Sequence, residues 1–190
     1  MNYTVPEYLK RIKKNHHRIR ICSAMRFNSI LFDLDMTIVD TSSLLGLRKQ
    51  RRWNDVYAQL NKTKIFNGIS SIIKKLDNKY NIGVITSSPR KYANKVIDYH
   101  ALTIPILCAY HDTKKHKPFP EPLLYALAKI HCLPSKAIYI GDEVNDIIAS
   151  KKAGLSSGAV TWGMDRAEDL TSAKPDVLFT KPSEIERYLV

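Results

Sequence analysis

The chain has 190 residues, 44% hydrophobic and 25% charged, which suffices for one full core and is ordinary for a globular protein. Its formal net charge of +12 favours anionic partners such as phosphates, nucleic acid or acidic surfaces, and carries no information about fold. No apolar run reaches the ~18 residues of a membrane-crossing helix, the N-terminus lacks a secretory pattern, and Cys22, Cys108 and Cys132 form no C-x-x-C pair, so the expected setting is the cytoplasm with reduced thiols.

Residues 1–27 read as a basic extension: Lys10, Arg11, Lys13, Lys14, Arg18, Arg20 and Arg26 stand against the single acid Glu7. Tyr3, Val5, Tyr8, Leu9 and Ile12 give it a short apolar helical face opening near Pro6. At Ser29 the character changes. Ile30, Leu31 and Phe32 predict a buried strand over 29–34, with Asp33 and Asp35 at its carboxyl end. Residues two apart on an extended chain face the same side, so these acids are costly neighbours unless a cation or ligand uses them. The alternative is a solvated loop. Next comes a basic knot, Arg48-Lys49-Gln50-Arg51-Arg52, followed by Trp53 and Tyr57. Basic residues interleaved with aromatics can bind a polyanion or single-stranded nucleic acid, but such a run is more often a solvated helix face.

From there apolar strands alternate with amphipathic helices. Further strands are expected at 82–86, 105–110, 137–141, 158–161 and 176–179, and helices at 67–79, 89–99, 120–131, 143–153 and 183–189. Such alternation predicts α/β architecture: a doubly wound parallel sheet in one domain spanning 28–190. Polar residues stand at the ends of these strands. Thr86, Ser87 and Ser88 precede Pro89 and a helix, an anion cradle or a plain helix cap. Lys117 sits in Lys117-Pro118-Phe119-Pro120-Glu121-Pro122, before the next helix. Gly141-Asp142-Glu143-Val144-Asn145-Asp146 repeats the logic of the first strand, with Asp142 and Asp146 one helical turn apart.

Taken together, these motifs resemble the haloacid dehalogenase superfamily, closest to its phosphoglycolate-phosphatase-like branch, over about residues 28–185. Asp33-Leu34-Asp35-Met36-Thr37 resembles the family's D-x-D-x-T signature, Thr86 its strand-end hydroxyl, Lys117 its lysine motif, and Gly141 to Asp146 its G-D-x-x-x-D motif. Ala153-Gly154 and Val160-Thr161-Trp162-Gly163 are also similar to that branch. Met36 departs from the pattern, because most relatives carry glycine there.

The resemblance implies a phosphatase working through an aspartyl-phosphate. Asp33 is then the nucleophile and Asp35 the acid and base, with Lys117 catalytic and phosphate-binding alongside Thr86 and Ser87. It further implies Mg²⁺ held by the carboxylates of Asp33 and Asp142 and the main chain of Asp35, with Asp146 orienting Lys117 or completing the outer shell. Relatives insert a helical cap after the first motif. Here Ile65-Phe66-Asn67-Gly68-Ile69 resembles an early return to the core, leaving about residues 41–64 for it. So reduced a lid suits an open site that takes a large or tethered phosphate, such as a nucleic-acid end, another polyanion or a phosphoprotein, while the resemblance itself implies a phosphorylated small molecule. The basic extension or a second subunit in a homo-oligomer is a candidate to complete it. A phosphomutase and a non-catalytic binding module remain as alternatives. His111 and His116 are too far from other ligand types to predict zinc.

Overall fold

In a computed structural model the protein is described over residues 26–189. The expected helix near Pro6, nearly all of the basic extension and Cys22 lie outside the described residues. Phe27 is buried and lies 6.5 Å from the Tyr188 ring, with the Arg26 guanidinium over both rings.

Among the described residues a six-stranded sheet is built from β1 (Ser29–Phe32), β4 (Asn81–Ile85), β5 (Ile106–Cys108), β6 (Ala137–Gly141), β7 (Ser156–Val160) and β8 (Val177–Phe179). Every pairing is parallel, and the order is β5-β4-β1-β6-β7-β8. The chain builds outward from β1 on one side, then crosses back to build outward from β6 on the other. The reversal between β1 and β6 leaves a crevice beyond their carboxyl ends, the usual ligand position in an open α/β sheet. Register brings Phe32 level with Val84 and Ile140, so the residues after these strands share one edge.

Helices α3 (Ile69–Asp77), α4 (Arg90–Tyr99) and α8 (Ser183–Leu189) cover one face, and α5 (Glu121–Lys129), α6 (Val144–Ala153) and α7 (Ala167–Ser172) cover the other. The pleat splits the side chains of β1 accordingly. Ile30 and Phe32 join Ile73, Tyr92 and Val96, whereas Leu31 joins Leu123, Leu127 and Ala149. The expected α/β doubly wound class is what forms.

Several element bounds moved, the first strand ending at Phe32, and two of the shifts have identifiable local reasons. The strand expected at 105–110 stops at Cys108, because Tyr110–Asp112 turn as a 3-10 segment whose Asp112 carboxylate accepts the Ala109 N–H at 2.7 Å. β7 begins at Ser156, where Asp176 accepts both the N–H and the hydroxyl of Ser157. Helix α7 went unpredicted, since Leu170 is its one buried apolar residue.

Residues 41–63 leave the sheet through a narrow neck. β2 (Val39–Asp40) and β3 (Lys64–Ile65) pair antiparallel, with Val39 opposite Ile65. Between them lie two short helices, α1 (Leu45–Lys49) and α2 (Trp53–Ala58), each flanked by a 3-10 turn. Leu44, Val56 and Leu60 are buried against the same core as Ile38, and Trp53 packs 5.9 Å from Tyr92. The insertion is seated on the core rather than held above it.

Candidate active site

Each side chain singled out from the sequence arrives at the sheet edge for a local reason. Asp33 directly follows β1, its N–H bonded to the Ile140 carbonyl at 2.9 Å. Thr86 follows β4, its N–H bonded to the Cys108 carbonyl at 2.9 Å and its hydroxyl accepting the Ser88 N–H at 3.1 Å. Asp142 follows β6. Asp146 stands in the first turn of α6, where one carboxylate oxygen accepts the N–H groups of Asp142 and Glu143, both at 3.1 Å. Its position explains Gly141 better than a tight turn does: a Cβ at 141 would stand 2.2 Å from Asp146 Oδ2. The carboxylate lies flat on the backbone, and only glycine leaves it room.

Lys117 closes the cluster. Its Nζ donates to Asp33 Oδ1 at 2.7 Å, pairs with Asp146 Oδ1 at 2.6 Å and donates to the Tyr139 hydroxyl at 3.0 Å. The lysine is buried, as are Asp33, Asp142 and Asp146. One carboxylate oxygen from each of these three aspartates lies within 4.8 Å of the others. Thr37 donates to Asp142 Oδ1 at 2.6 Å, and the Met164 N–H donates to its Oδ2 at 2.9 Å. Gly163 backs this contact, because a Cβ there would stand 2.1 Å from that of Asp142. Trp162 packs 6.1 Å from Phe66 and donates its indole N–H to the Thr37 carbonyl.

Three buried carboxylates thus share one buried ammonium. Burial would lower the Lys117 pKa, but Asp146 and Asp33 outweigh it and hold the amine well above its ordinary value. Burial pushes Asp33 well up, Lys117 opposes, and Asp146, Asp142 and Asp35 add to the rise. Asp142 is pushed up to about 7, by burial first and Asp146 second, against the hydrogen bonds from Thr37 and Met164. The cluster is short of positive charge. An all-oxygen donor set with that deficit fits a hard divalent cation such as Mg²⁺.

Asp35 stands apart from this cluster. Its Oδ1 accepts from Tyr92 at 2.6 Å and Thr41 at 2.9 Å, and its Oδ2 from Arg48 at 2.7 Å and Ser88 at 2.8 Å. Of the four residues expected to hold a metal, Asp35 is the one whose carboxylate lies outside the acidic group, leaving only its main chain for that purpose. The next residue, Met36, has φ 65°, a left-handed turn where most relatives were expected to carry glycine.

A pocket of about 130 Å³ opens over these groups, walled among others by Asp33, Asp35, Thr86, Ser87, Ser88, Lys117 and Arg48. Ser87 is exposed at its rim, while buried Ser88 serves Asp35. Sequence reasoning missed three contributors, Tyr92, Tyr139 and the inward-turned Arg48, and gave Thr37 of the D-x-D-x-T signature no role. A tyrosine inside the otherwise aliphatic run of β6 was a usable signal for Tyr139, because a buried hydroxyl needs a partner. Arg48 had been assigned to a surface patch. Instead it turns inward, with its guanidinium 4.8 Å from the Tyr92 ring centre. Arg52 of the same knot pairs with Asp55. His111 and His116 join no metal-ligand group among the described residues, and His116 stacks on Tyr110.

The model of the haloacid dehalogenase-like hydrolase family matches residues 46–160. The pyrophosphatase PpaX of Bacillus velezensis is 25% identical, over 84% of this chain and 95% of its own length. That alignment runs to 205 positions, more than this chain has residues, so the relative carries stretches with no counterpart here. A PpaX of Caldanaerobacter subterraneus, itself named as provisional, is 28% identical over 80% of this chain and 90% of its own length. Among solved structures, a predicted phosphoglycolate phosphatase of Haemophilus somnus superposes with a TM-score of 0.77 at 19% identity. It covers 87% of this chain and 99% of that one. No helix among the described residues is long and apolar enough to cross a membrane. The chain belongs to the haloacid dehalogenase-like hydrolase family.

Proposed function

We propose that the protein is a Mg²⁺-dependent phosphatase that cleaves small phosphorylated compounds through an aspartyl-phosphate on Asp33. The observation that carries this reading is the setting of Asp33. A buried carboxylate lining a phosphoryl-sized pocket touches Lys117 and belongs to a group of three buried acids, one oxygen of each lying within 4.8 Å of the others. The carboxylates of Asp33 and Asp142, with the main chain of Asp35, would hold Mg²⁺, which when bound neutralises charge that would otherwise repel a phosphate dianion.

The protein's own groups divide the remaining work. Asp33 attacks phosphorus, and the bond to the leaving oxygen breaks as the new P–O bond forms. Asp35 hands a proton to that leaving oxygen, then takes one from the water that hydrolyses the acyl phosphate and releases inorganic phosphate. Lys117 and the Thr86 hydroxyl face the equatorial oxygens, where charge accumulates. Ser87 at the rim is placed to add a further donor. Asp146 acts through Lys117: it fixes the ammonium at 2.6 Å while its other oxygen is tied to the backbone. Tyr139 supports the same ammonium from below.

Pyrophosphate and phosphoglycolate, named in the relatives, are the first natural compounds to try, with 4-nitrophenyl phosphate as a general probe. The test is phosphate release with Mg²⁺ by the wild-type protein and by Asp33→Asn, with folding followed by circular dichroism. Release that survives in a folded Asp33→Asn variant removes Asp33 as nucleophile. A polyanion such as a nucleic-acid end is the weaker reading, because Arg52 of the basic knot is engaged by Asp55 within the chain.

A further inference from the structure

The phosphoryl pocket is too small for a whole metabolite: its volume of about 130 Å³ compares with roughly 300–1,000 Å³ for ordinary small-molecule sites. A groove of about 480 Å³ adjoins it, and Leu45, Arg48, Ser87 and Ser88 line both. The groove brings together Arg48, Lys49, Arg51, Trp53, Tyr110 and His111, and no carboxylate stands among its described lining residues. Its charge is therefore one-sided, and a leaving group lying there meets cations and aromatic rings.

Arg48 stands at the junction. Its NH2 donates to both Asp35 Oδ2 at 2.7 Å and Ser88 Oγ at 2.9 Å, and NH1 donates to Thr41 at 3.0 Å. The guanidinium plane rests over the Tyr92 ring, a contact that tolerates sliding because it has no fixed direction within the plane. If Arg48 withdrew, Asp35 would keep its hydrogen bonds from Tyr92, Thr41 and Ser88. The carboxylate is not orphaned by losing this partner. The half-buried arginine, by contrast, would be left without a counter-anion unless something replaced Asp35.

We propose that Arg48 is a specificity-determining residue: it takes a second anionic group carried by the leaving half of the substrate and, in turning to it, leaves Asp35 Oδ2 with Ser88 as its remaining donor and a lone pair open to the leaving oxygen. This deepens the phosphatase reading and names its substrate class as phosphate compounds whose leaving group bears its own negative charge, a phosphate or a carboxylate. A substrate with a neutral leaving group leaves Arg48 paired to Asp35. A planar guanidinium suits the exchange, because it accepts either oxyanion through the same paired N–H donors.

The test compares two unreactive, nearly isosteric ligands that differ in charge, 4-carboxyphenylphosphonate and 4-nitrophenylphosphonate. Their binding to the full chain in Mg²⁺ is measured by titration calorimetry. The wild-type protein is expected to bind the carboxylate form about tenfold more tightly, by an amount that one charge-assisted hydrogen bond accounts for. Arg48→Met and Arg48→Gln are expected to bind both with similar affinity. The glutamine variant keeps an N–H donor for Ser88 and Asp35, which guards against an effect of misfolding alone. Wild-type protein that binds the two equally, or neither, overturns the proposal, as does a preference that survives in either folded variant. Loss of phosphate release by the wild-type protein with the binding preference intact would instead sink the phosphatase reading and leave the role of Arg48 standing.

Discussion

Asp33 and Asp35 are two residues apart, yet their carboxylates occupy opposite electrostatic settings. Asp33 lies among Asp142 and Asp146 with only Lys117 to offset them, and burial pushes its proton affinity up. Asp35 is held by four donors, one of them the Arg48 guanidinium from the insertion. The sheet edge therefore supplies the first with too little positive charge, and the insertion supplies the second with a dedicated partner. A site built this way separates the group that must meet phosphorus beside a cation from the group that must handle a proton. Immediately after Asp35 the left-handed turn at Met36 redirects the chain.

The contrast can be broken at either end. Asp33→Asn should lower phosphate release by about 10³-fold or more, in the range seen when a nucleophile is lost. Its metal-free melting temperature should not fall, because one of the crowded charges is gone; a large drop would show that Asp33 is needed for folding. Lys117→Met should cost roughly 3–5 kcal/mol of stability at pH 8, the scale for breaking a buried pair. Two carboxylates then lose their ammonium, and lowering the pH to 5 should recover part of the loss as those acids take up protons. Denaturant unfolding at both pH values measures this, and a cost independent of pH would argue against charge as its origin.

The cation can be probed without mutation. The Asp142 carboxyl, pushed up to about 7 in the folded chain, binds a proton more readily there than when unfolded. Its contribution to stability is therefore present below the ordinary carboxylate range and is lost as pH rises towards 7. Mg²⁺ should restore what is lost, so its addition should raise the melting temperature more at pH 8 than at pH 5. Equal shifts would mean that binding does not involve these acids. On the Asp35 side, Tyr92→Phe removes one 2.6 Å hydrogen bond and should cost about 1–2 kcal/mol, leaving the Mg²⁺-dependent shift in place. Altered Mg²⁺ dependence would join the two regions that the structure keeps apart. The smallest effect is at the corner: Met36→Gly should stabilise the fold by up to about 1 kcal/mol in thermal unfolding, by relieving left-handed strain.

What could be read from the sequence followed from strand logic. Asp33, Thr86 and Asp142 each come directly after an apolar run, so a parallel sheet was bound to bring them to one edge. Lys117 and Asp146 were legible for the same reason, each standing beside a turn or helix start near that edge. The second coat of the site was not. Tyr92 looks like any apolar position of an amphipathic helix, and its hydroxyl reaches Asp35 only because α4 packs across the end of β1. Thr37 and Trp162 are separated by 125 positions before they meet. Arg48 was the instructive miss. A run of five basic and polar residues carries no mark of which one turns inward, and that choice depends on the seating of α1 against Tyr92 and Ser88.

The chain's two tryptophans stand one in each region: Trp162 reaches the Thr37 carbonyl beside Asp142, and Trp53 borders the groove that Arg48 closes. Their intrinsic emission is thus a built-in pair of optical reporters. Light from Trp162 follows filling of the acidic cluster, light from Trp53 follows arrival of a ligand tail, and replacing either indole with phenylalanine isolates the other signal.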